Sequence, residues 1–403
     1  MSSKLDSIQE RERDSICPTY ARYPLFVERG QGARLFGSEG MEYVDFLSGI
    51  AVCNLGHCHP DLTRTIQDQA ARLVHTSNLF YEQNQLDLAE RLLQTCSMDR
   101  VFFCNSGAEA NEAAIKIARR TMHTIRNQDR HEVITLDGSF HGRTLATLTA
   151  TGQPKVKEGF EPLPPGFRTV PCGRIEDMLE AMNERTAAVL VEIIQGEGGV
   201  RLLGRDYLLA LEQECRQRGI LFMVDEVQTG MGRTGAMWAH QHYGLTPDVM
   251  TTAKALANGL PMGAMLTTEE VSRAFGPGAH ATTFGGGALV SAAAARVLEI
   301  IERDGLVQQA RERGRFALQE LQKVQARFPD MVAEVRGMGL MIGVELTLPA
   351  QPVWDRLLDK GFVCNVTQER VLRLLPPLIV SEEDILSFAR ALADSLEEQS
   401  SSS

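Results

Sequence analysis

Between about residue 60 and residue 300 the hydrophobic positions switch repeatedly between two periods. Apolar residues three and four apart, the spacing that lines one face of a helix, run through 61–74, 85–94, 108–122 and 205–218. Short continuous apolar runs at 101–104, 132–136, 187–194, 220–227 and 249–253 predict strands buried on both faces. Helix and strand in alternation imply a mostly parallel sheet covered by helices on both faces. The flanks read differently. Residues 32–37 and 41–46 alternate around Ser38-Glu-Gly40 and predict a hairpin. Past Ser291 a long helix through 292–302 leads into a carboxy-terminal lobe, with strands at 339–345 and 371–375 and a last amphipathic helix over 385–397. Residues 1–16 and 397–403 are polar or charged and are expected to fray.

A chain of 403 residues has room for a large core and a second lobe. Its 43% hydrophobic and 23% charged content is that of a soluble globular enzyme and excludes extended disorder. The net charge of -11, with no basic block to offset it, argues against nucleic acid or an anionic membrane as the main partner. No stretch approaches the roughly 18 apolar residues of a membrane span, and the start lacks the apolar core of a signal peptide, so a cytoplasmic protein is expected. None of the eight cysteines forms a CxxC pair, which predicts reduced, mostly buried thiols. His57-Cys58-His59 and His240-Gln-His242 have metal-like spacing, but no second cluster completes a site and no metal is expected.

Asp225 ends one apolar run, and Lys254 follows the next. Open α/β sheets bind ligands beyond the carboxyl ends of their strands, where an acid and an amine can reach one small molecule. That pair suits pyridoxal phosphate, which needs a lysine to condense with its aldehyde and an acid to keep its pyridine nitrogen protonated. Taken alone, the two residues fit an ordinary buried acid and a solvated lysine better than a cofactor site. Ser106-Gly-Ala-Glu-Ala-Asn-Glu112 opens a helix, where Ser106, Gly107 and Ala108 can cradle a phosphate or simply cap the helix. Gly230-Met-Gly-Arg-Thr-Gly235 matches GxGxxG, but no helix pattern follows it and no acid stands about 20 residues on; it reads as a turn. Phe140, in Phe140-His-Gly-Arg143, can stack on a flat ring, and Arg143 can pair with a carboxylate. Arg373 lies in an apolar run; it is either buried against an anion or at a surface edge.

In sum, these residues resemble the class III, fold-type I pyridoxal-phosphate aminotransferases, and within them the acetylornithine aminotransferase group. The match runs from Tyr20-Ala-Arg-Tyr-Pro24 to Arg373-Leu-Leu-Pro-Pro-Leu378. It includes Gly56-His-Cys-His-Pro60, His75-Thr-Ser-Asn-Leu-Phe-Tyr81, Gln195-Gly-Glu-Gly-Gly199, Asp225-Glu-Val-Gln-Thr-Gly230 and Thr282-Thr-Phe-Gly-Gly286. The resemblance implies a large cofactor-binding domain over 59–298 and a smaller α+β domain built from 1–58 and 299–403. It implies that Lys254 carries the cofactor, Asp225 partners its ring nitrogen, Val227 and Phe140 sandwich the ring, and Gln228 lies near its hydroxyl. Ser106, Gly107 and Ala108 match the phosphate cup, and Thr283 a residue that reaches the phosphate of a neighbouring subunit in a homodimer with shared sites. Arg143 resembles the arginine for the donor's distal carboxylate, Arg373 the one for the α-carboxylate of 2-oxoglutarate, and Glu197 the acid that pairs with Arg373 in its absence.

Ornithine aminotransferases resemble this chain but hold a tyrosine, which meets the free α-amino group, where Ile50 stands. An apolar Ile50 beside Ala51 and Val52 gives a bare ammonium no partner and favours N-acetylornithine. Succinylornithine, succinyldiaminopimelate, ornithine and 4-aminobutyrate stay open as donors, as do an aminomutase reaction on the same cofactor and a non-catalytic protein that only binds it. Two departures from the family pattern are Ile193, where proline is usual, and Gly287-Ala288 in place of Asn-Pro.

Overall fold

The computed structural model describes residues 4–401. Seven strands form its central sheet in the spatial order Arg100–Cys104, Gly263–Thr267, Val249–Thr252, Leu221–Asp225, Thr186–Val191, Glu132–Leu136, Phe167–Val170. All run parallel except Gly263–Thr267, which is antiparallel to both neighbours. Every residue of Thr186–Val191 and Leu221–Asp225 is buried, as central strands covered on both faces require. The helix Gly107–Arg120 buries Ala110, Ala113, Ala114 and Ala118, small residues that bring its axis close to the sheet.

Two smaller sheets flank this core. Val27–Gln31, Arg34–Gly37 and Glu42–Asp45 form an antiparallel meander that includes the expected hairpin, and Phe362–Val363 joins Glu42–Asp45 in parallel. The two ends of the chain therefore share one sheet. Val332–Met338, Met341–Leu346, Val371–Leu374 and Asn365–Thr367 form the other, with Arg373 paired opposite Gly343.

The departures from the sequence-based expectations have local causes. The run 187–194 stops as a sheet strand at Val191, and Ile194–Gln195 turns away to pair with Arg201–Leu202. Phe167–Val170 and Gly263–Thr267 were not anticipated: one spans only four residues and the other begins at glycine. Gly287 caps the helix Ala288–Arg303 and Ala288 is its first residue, the position where the family's usual proline fits equally well. Residues 4–15, expected to fray, form a helix with no buried residue, and 397–401 continue the helix Glu382–Ser401; the remainder of both tips lies outside the described residues. The cysteines are all free, but only Cys104, Cys215 and Cys364 are fully buried. Among the described residues, no helix is long and apolar enough to cross a membrane.

Candidate active site

The carboxyl ends of the central strands open into a cavity of about 420 Å³. Asp225 is the last residue of its strand and Lys254 follows Thr252 by two residues, so both reach the cavity from adjacent strands. Asp225 is buried and held from two sides. Its Oδ2 accepts from Asn111 Nδ2 at 2.7 Å and from His141 Nδ1 at 2.8 Å, and its Oδ1 accepts from the Val227 amide at 3.0 Å. A carboxylate offers about four acceptor positions, so one remains for a further N–H donor. Thr251 Oγ1 donates to Asn111 Oδ1 at 2.7 Å and fixes which way that amide faces. Lys254 sits in the left-handed region at φ 45°, and burial lowers its pKa despite the nearby Glu197 carboxylate, which favours a neutral, nucleophilic amine.

Ser106 is the N-cap of the helix Gly107–Arg120; its hydroxyl accepts from the Glu109 amide at 3.2 Å. The amides of Gly107 and Ala108 belong to the first turn, which has no intrahelical acceptors, and they open on the cavity at the positive end of the helix dipole. A Cβ on Gly107 would meet Val227 Cγ1 at 2.8 Å, so only glycine lets the phosphate turn lie against the residue that follows Asp225. The cavity thus combines an amine, a carboxylate with a free acceptor position, two side chains that can flank a ring, Phe140 and Val227, and an anion-binding helix end. That donor set fits pyridoxal phosphate.

Behind the cavity wall, Arg373 is fully buried. Its Nη1 donates to Glu197 Oε1 at 2.6 Å and to Gln228 Oε1 at 3.3 Å, and its Nε to Asn365 Oδ1 at 3.1 Å. The surface-edge alternative is thereby removed. Burial pushes the Glu197 pKa up, but the charge and hydrogen bond of Arg373 outweigh it and the net shift is downward. Glu197 lines the cavity while Arg373 lies behind it. The Glu197 carbonyl accepts from Thr367 Oγ1 at 2.7 Å and Gln368 Nε2 at 2.8 Å, which ties its loop to the lobe that carries Arg373.

Ten of the thirteen residues singled out from the sequence therefore line one cavity: Lys254, Asp225, Ser106, Gly107, Ala108, Phe140, Val227, Gln228, Arg143 and Glu197. Arg143 is exposed, with its guanidinium 5.6 Å from the Phe140 ring centre. Thr283 lies elsewhere, in an outer depression beside Ser77 and Asn78. Ile50 is 37% exposed at φ 68°, and it is Val52 that reaches the cavity wall.

Of the cavity residues outside that set, Asn111, His141 and Glu192 hold its buried polar framework. Asn111 and His141 lie inside quoted motifs, one helical turn after Gly107 and next to Phe140, yet nothing in their spacing signals a bond to Asp225. Glu192 accepts from the amides of Phe140 at 2.9 Å and Gly196 at 3.3 Å, and burial pushes its pKa up to about 7. Gly230–Gly235 lies in a run of turns and bends that opens no α-helix; a short 3-10 helix, Ala239–His242, follows, which agrees with a turn reading. His57 bonds Asp45 and His240 bonds Glu226, and the described residues hold no cluster of three metal-ligating side chains.

A lysine and an acid at adjacent strand ends, a helix N-terminus open to an anion and a parallel-rich sheet fit a pyridoxal-phosphate enzyme of the α/β transferase type. The chain belongs to the class-III aminotransferases: the family described as "Aminotransferase class-III" matches residues 16–396. It is 45% identical over 373 residues to the acetylornithine aminotransferase of Methanocaldococcus jannaschii, covering 93% of this chain and 94% of that one. It is also 45% identical over 384 residues to the acetylornithine aminotransferase of Myxococcus xanthus, with 95% and 96% covered. Among solved structures, ornithine aminotransferase from Toxoplasma gondii superposes with a TM-score of 0.95 at 30% identity, over 99% of this chain and 96% of that one.

Proposed function

We propose that this aminotransferase moves the terminal amino group of N-acetylornithine to 2-oxoglutarate, giving N-acetylglutamate semialdehyde and glutamate, a step of arginine biosynthesis, as a cytoplasmic homodimer with shared active sites. The observation that carries the two-substrate reading is the Glu197–Arg373 pair, a guanidinium covered by an acid at the cavity wall. While the donor occupies the site, Glu197 neutralises Arg373; when the keto acid enters, its α-carboxylate takes the place of Glu197 on the guanidinium fork.

Pyridoxal phosphate, when bound, supplies an electron-withdrawing ring that accepts the electron pair released as the donor carbon loses its proton. Lys254 Nζ would accept that proton and later give it back, a role suited to an amine whose pKa burial has lowered. Asp225, oriented by Asn111 and His141, holds the positive charge on the ring nitrogen. Arg143 is exposed at the cavity mouth, where a distal carboxylate would arrive. The N-acyl preference is supported by the apolar Ile50, Ala51 and Val52 stretch and by the names of the two relatives at 45% identity.

The homodimer is supported by a cluster of exposed apolar side chains, Leu79 (88%), Phe80 (65%), Tyr81 (100%) and Phe284 (64%), around the depression that holds Thr283.

The test is the visible spectrum of the holoenzyme, recorded as N-acetylornithine, ornithine, N-succinylornithine and 4-aminobutyrate are added separately without keto acid. Loss of the yellow absorbance with N-acetylornithine in preference to the others, and its return on adding 2-oxoglutarate, is the expected result. A protein bleached by a different amine would discard the donor, and one not restored by 2-oxoglutarate would discard the acceptor.

A further inference from the structure

The loop Gly230–Gly235 takes no part in the cavity, yet it holds a fully buried arginine. Arg233 is fully buried, and none of the acceptors its guanidinium reaches is a carboxylate. Nη1 donates to the carbonyls of Leu340, at 3.0 Å, and Pro376; Nη2 donates to Asn54 Oδ1 and, at 3.5 Å, to Ser48 Oγ. Burial lowers the Arg233 pKa and outweighs the nearby Asp45 carboxylate, which favours the charge, so a neutral side chain would avoid a cost. What a guanidinium adds is a rigid planar fork that satisfies several acceptors from separate stretches at once, which neither lysine nor an apolar residue can do.

Three of those acceptors, Pro376, Ser48 and Asn54, belong to the two stretches that carry Arg373 and the Ile50–Val52 loop; Leu340 lies in the turn between Val332–Met338 and Met341–Leu346. Pro376 follows Arg373 by three residues. Ser48 and Asn54 bracket the loop that carries Ile50 and Val52, in which Ser48, Gly49, Ile50 and Ala51 all have positive φ and so need external support. Further bonds stitch the same two stretches together. Ser48 Oγ donates to the Leu375 carbonyl at 2.6 Å, the Leu375 amide to the Phe46 carbonyl at 2.7 Å, and the Leu378 amide to the Asn54 carbonyl at 2.8 Å. Asn54 Nδ2 returns to the Met231 carbonyl at 2.9 Å, closing the circuit on the loop that presents Arg233.

We propose that Arg233 is a positioning residue for both substrate sites: it locks the chain that follows Arg373 to the Ser48–Asn54 loop and so sets the separation between the acceptor guanidinium and the apolar donor wall. The inference rests on the proposed reading of Arg373 as the acceptor arginine and of the Ile50–Val52 stretch as the donor wall.

The test compares full-length holoenzyme with R233M, R233K and S48A, measuring cofactor absorbance, thermal stability, and KM and kcat for each half-reaction with N-acetylornithine and 2-oxoglutarate. The expected result is R233M with yellow absorbance retained, KM for both substrates raised about tenfold and kcat changed less than about threefold. R233K restores the charge without the fork and is expected to fail to rescue KM. Unchanged KM values in a yellow, folded R233M, or full rescue by lysine, overturn the proposal. Should R233M not fold, S48A decides, since it removes one acceptor and the Leu375 tie while leaving the charge: a raised KM supports the proposal and an unchanged KM overturns it. Failure of the underlying reading looks different, because wild-type enzyme bleached by donor would then not recover its colour with 2-oxoglutarate.

Discussion

Glu197 Oε1 lies 2.6 Å from Arg373 Nη1, and the acid, not the guanidinium, faces the cavity. Any carboxylate that binds Arg373 must displace Glu197. In E197Q the amide competes without a charge, so KM for 2-oxoglutarate should fall and glutamate should become a better amino donor relative to N-acetylornithine. A charged hydrogen bond contributes about 1.5–3 kcal/mol, so the ratio of kcat/KM for the two donors should move by roughly tenfold or more. Steady-state kinetics with both donors check this, and an unchanged ratio would remove the switch from Glu197.

Truncation of the partner should separate the half-reactions. R373M removes the fork from Glu197, Gln228 and Asn365. Losing one side of a buried charged pair costs about 2–5 kcal/mol, which predicts an acceptor half-reaction slowed by a factor of about 100 with the donor half-reaction much less affected. Rapid-mixing absorbance in each direction measures the two independently.

D225N tests whether charge or shape matters at the ring nitrogen. Asn111 and His141 both donate to Oδ2, so the amide oxygen must occupy that position and its NH2 is left facing the Val227 amide, donor against donor. The variant should bind cofactor more weakly and bleach with N-acetylornithine at least about 100-fold more slowly. Single-turnover absorbance would reveal it.

His57 Nε2 lies 2.7 Å from Asp45 Oδ2, and hydrogen bonds to Asp45 and Cys53 raise the imidazole pKa to about 10. The folded value exceeds the unfolded one near 6.5, so the stabilisation is complete below about pH 6.5 and is lost as pH rises towards 10. The melting temperature of H57N should therefore lack a decline that wild-type protein shows between those limits. Parallel melting curves across that range test it.

Phe284 follows Thr283 directly and Tyr81 comes three residues after Asn78, and both are exposed. F284D or Y81D should yield a monomer at micromolar concentration with weakened cofactor binding, because the charge would have to be desolvated at the contact. Sedimentation equilibrium with cofactor titration checks both effects; an intact dimer would move the interface elsewhere.

Much of this molecule is legible in one dimension because its strongest signals are local. Continuous apolar runs are long enough in Thr186–Val191 and Leu221–Asp225 to mark buried strands, and an acid or lysine at the end of such a run reports its own position in an open sheet. The cap at Ser106 and the turn at Gly230–Gly235 follow from residue type within a few positions. What remained hidden depends on contacts between distant stretches. Gly263–Thr267 gains its strand character from neighbours on both sides, not from its composition. Asn111 and His141 become relevant only when folding brings a helix and a loop to Asp225, and Arg373 declares itself buried only when Glu197 and Gln228 arrive from more than 140 positions away. The sequence by itself determined the layered α/β class, a lysine and an acid at neighbouring strand ends, and ten of the cavity's lining residues, since periodicity and strand-end placement are properties of consecutive residues. Tertiary structure alone decided which charges are paired, which pKa values move and how Arg233 joins the flanks of the site, because desolvation and hydrogen bonding depend on neighbours that the chain order does not reveal.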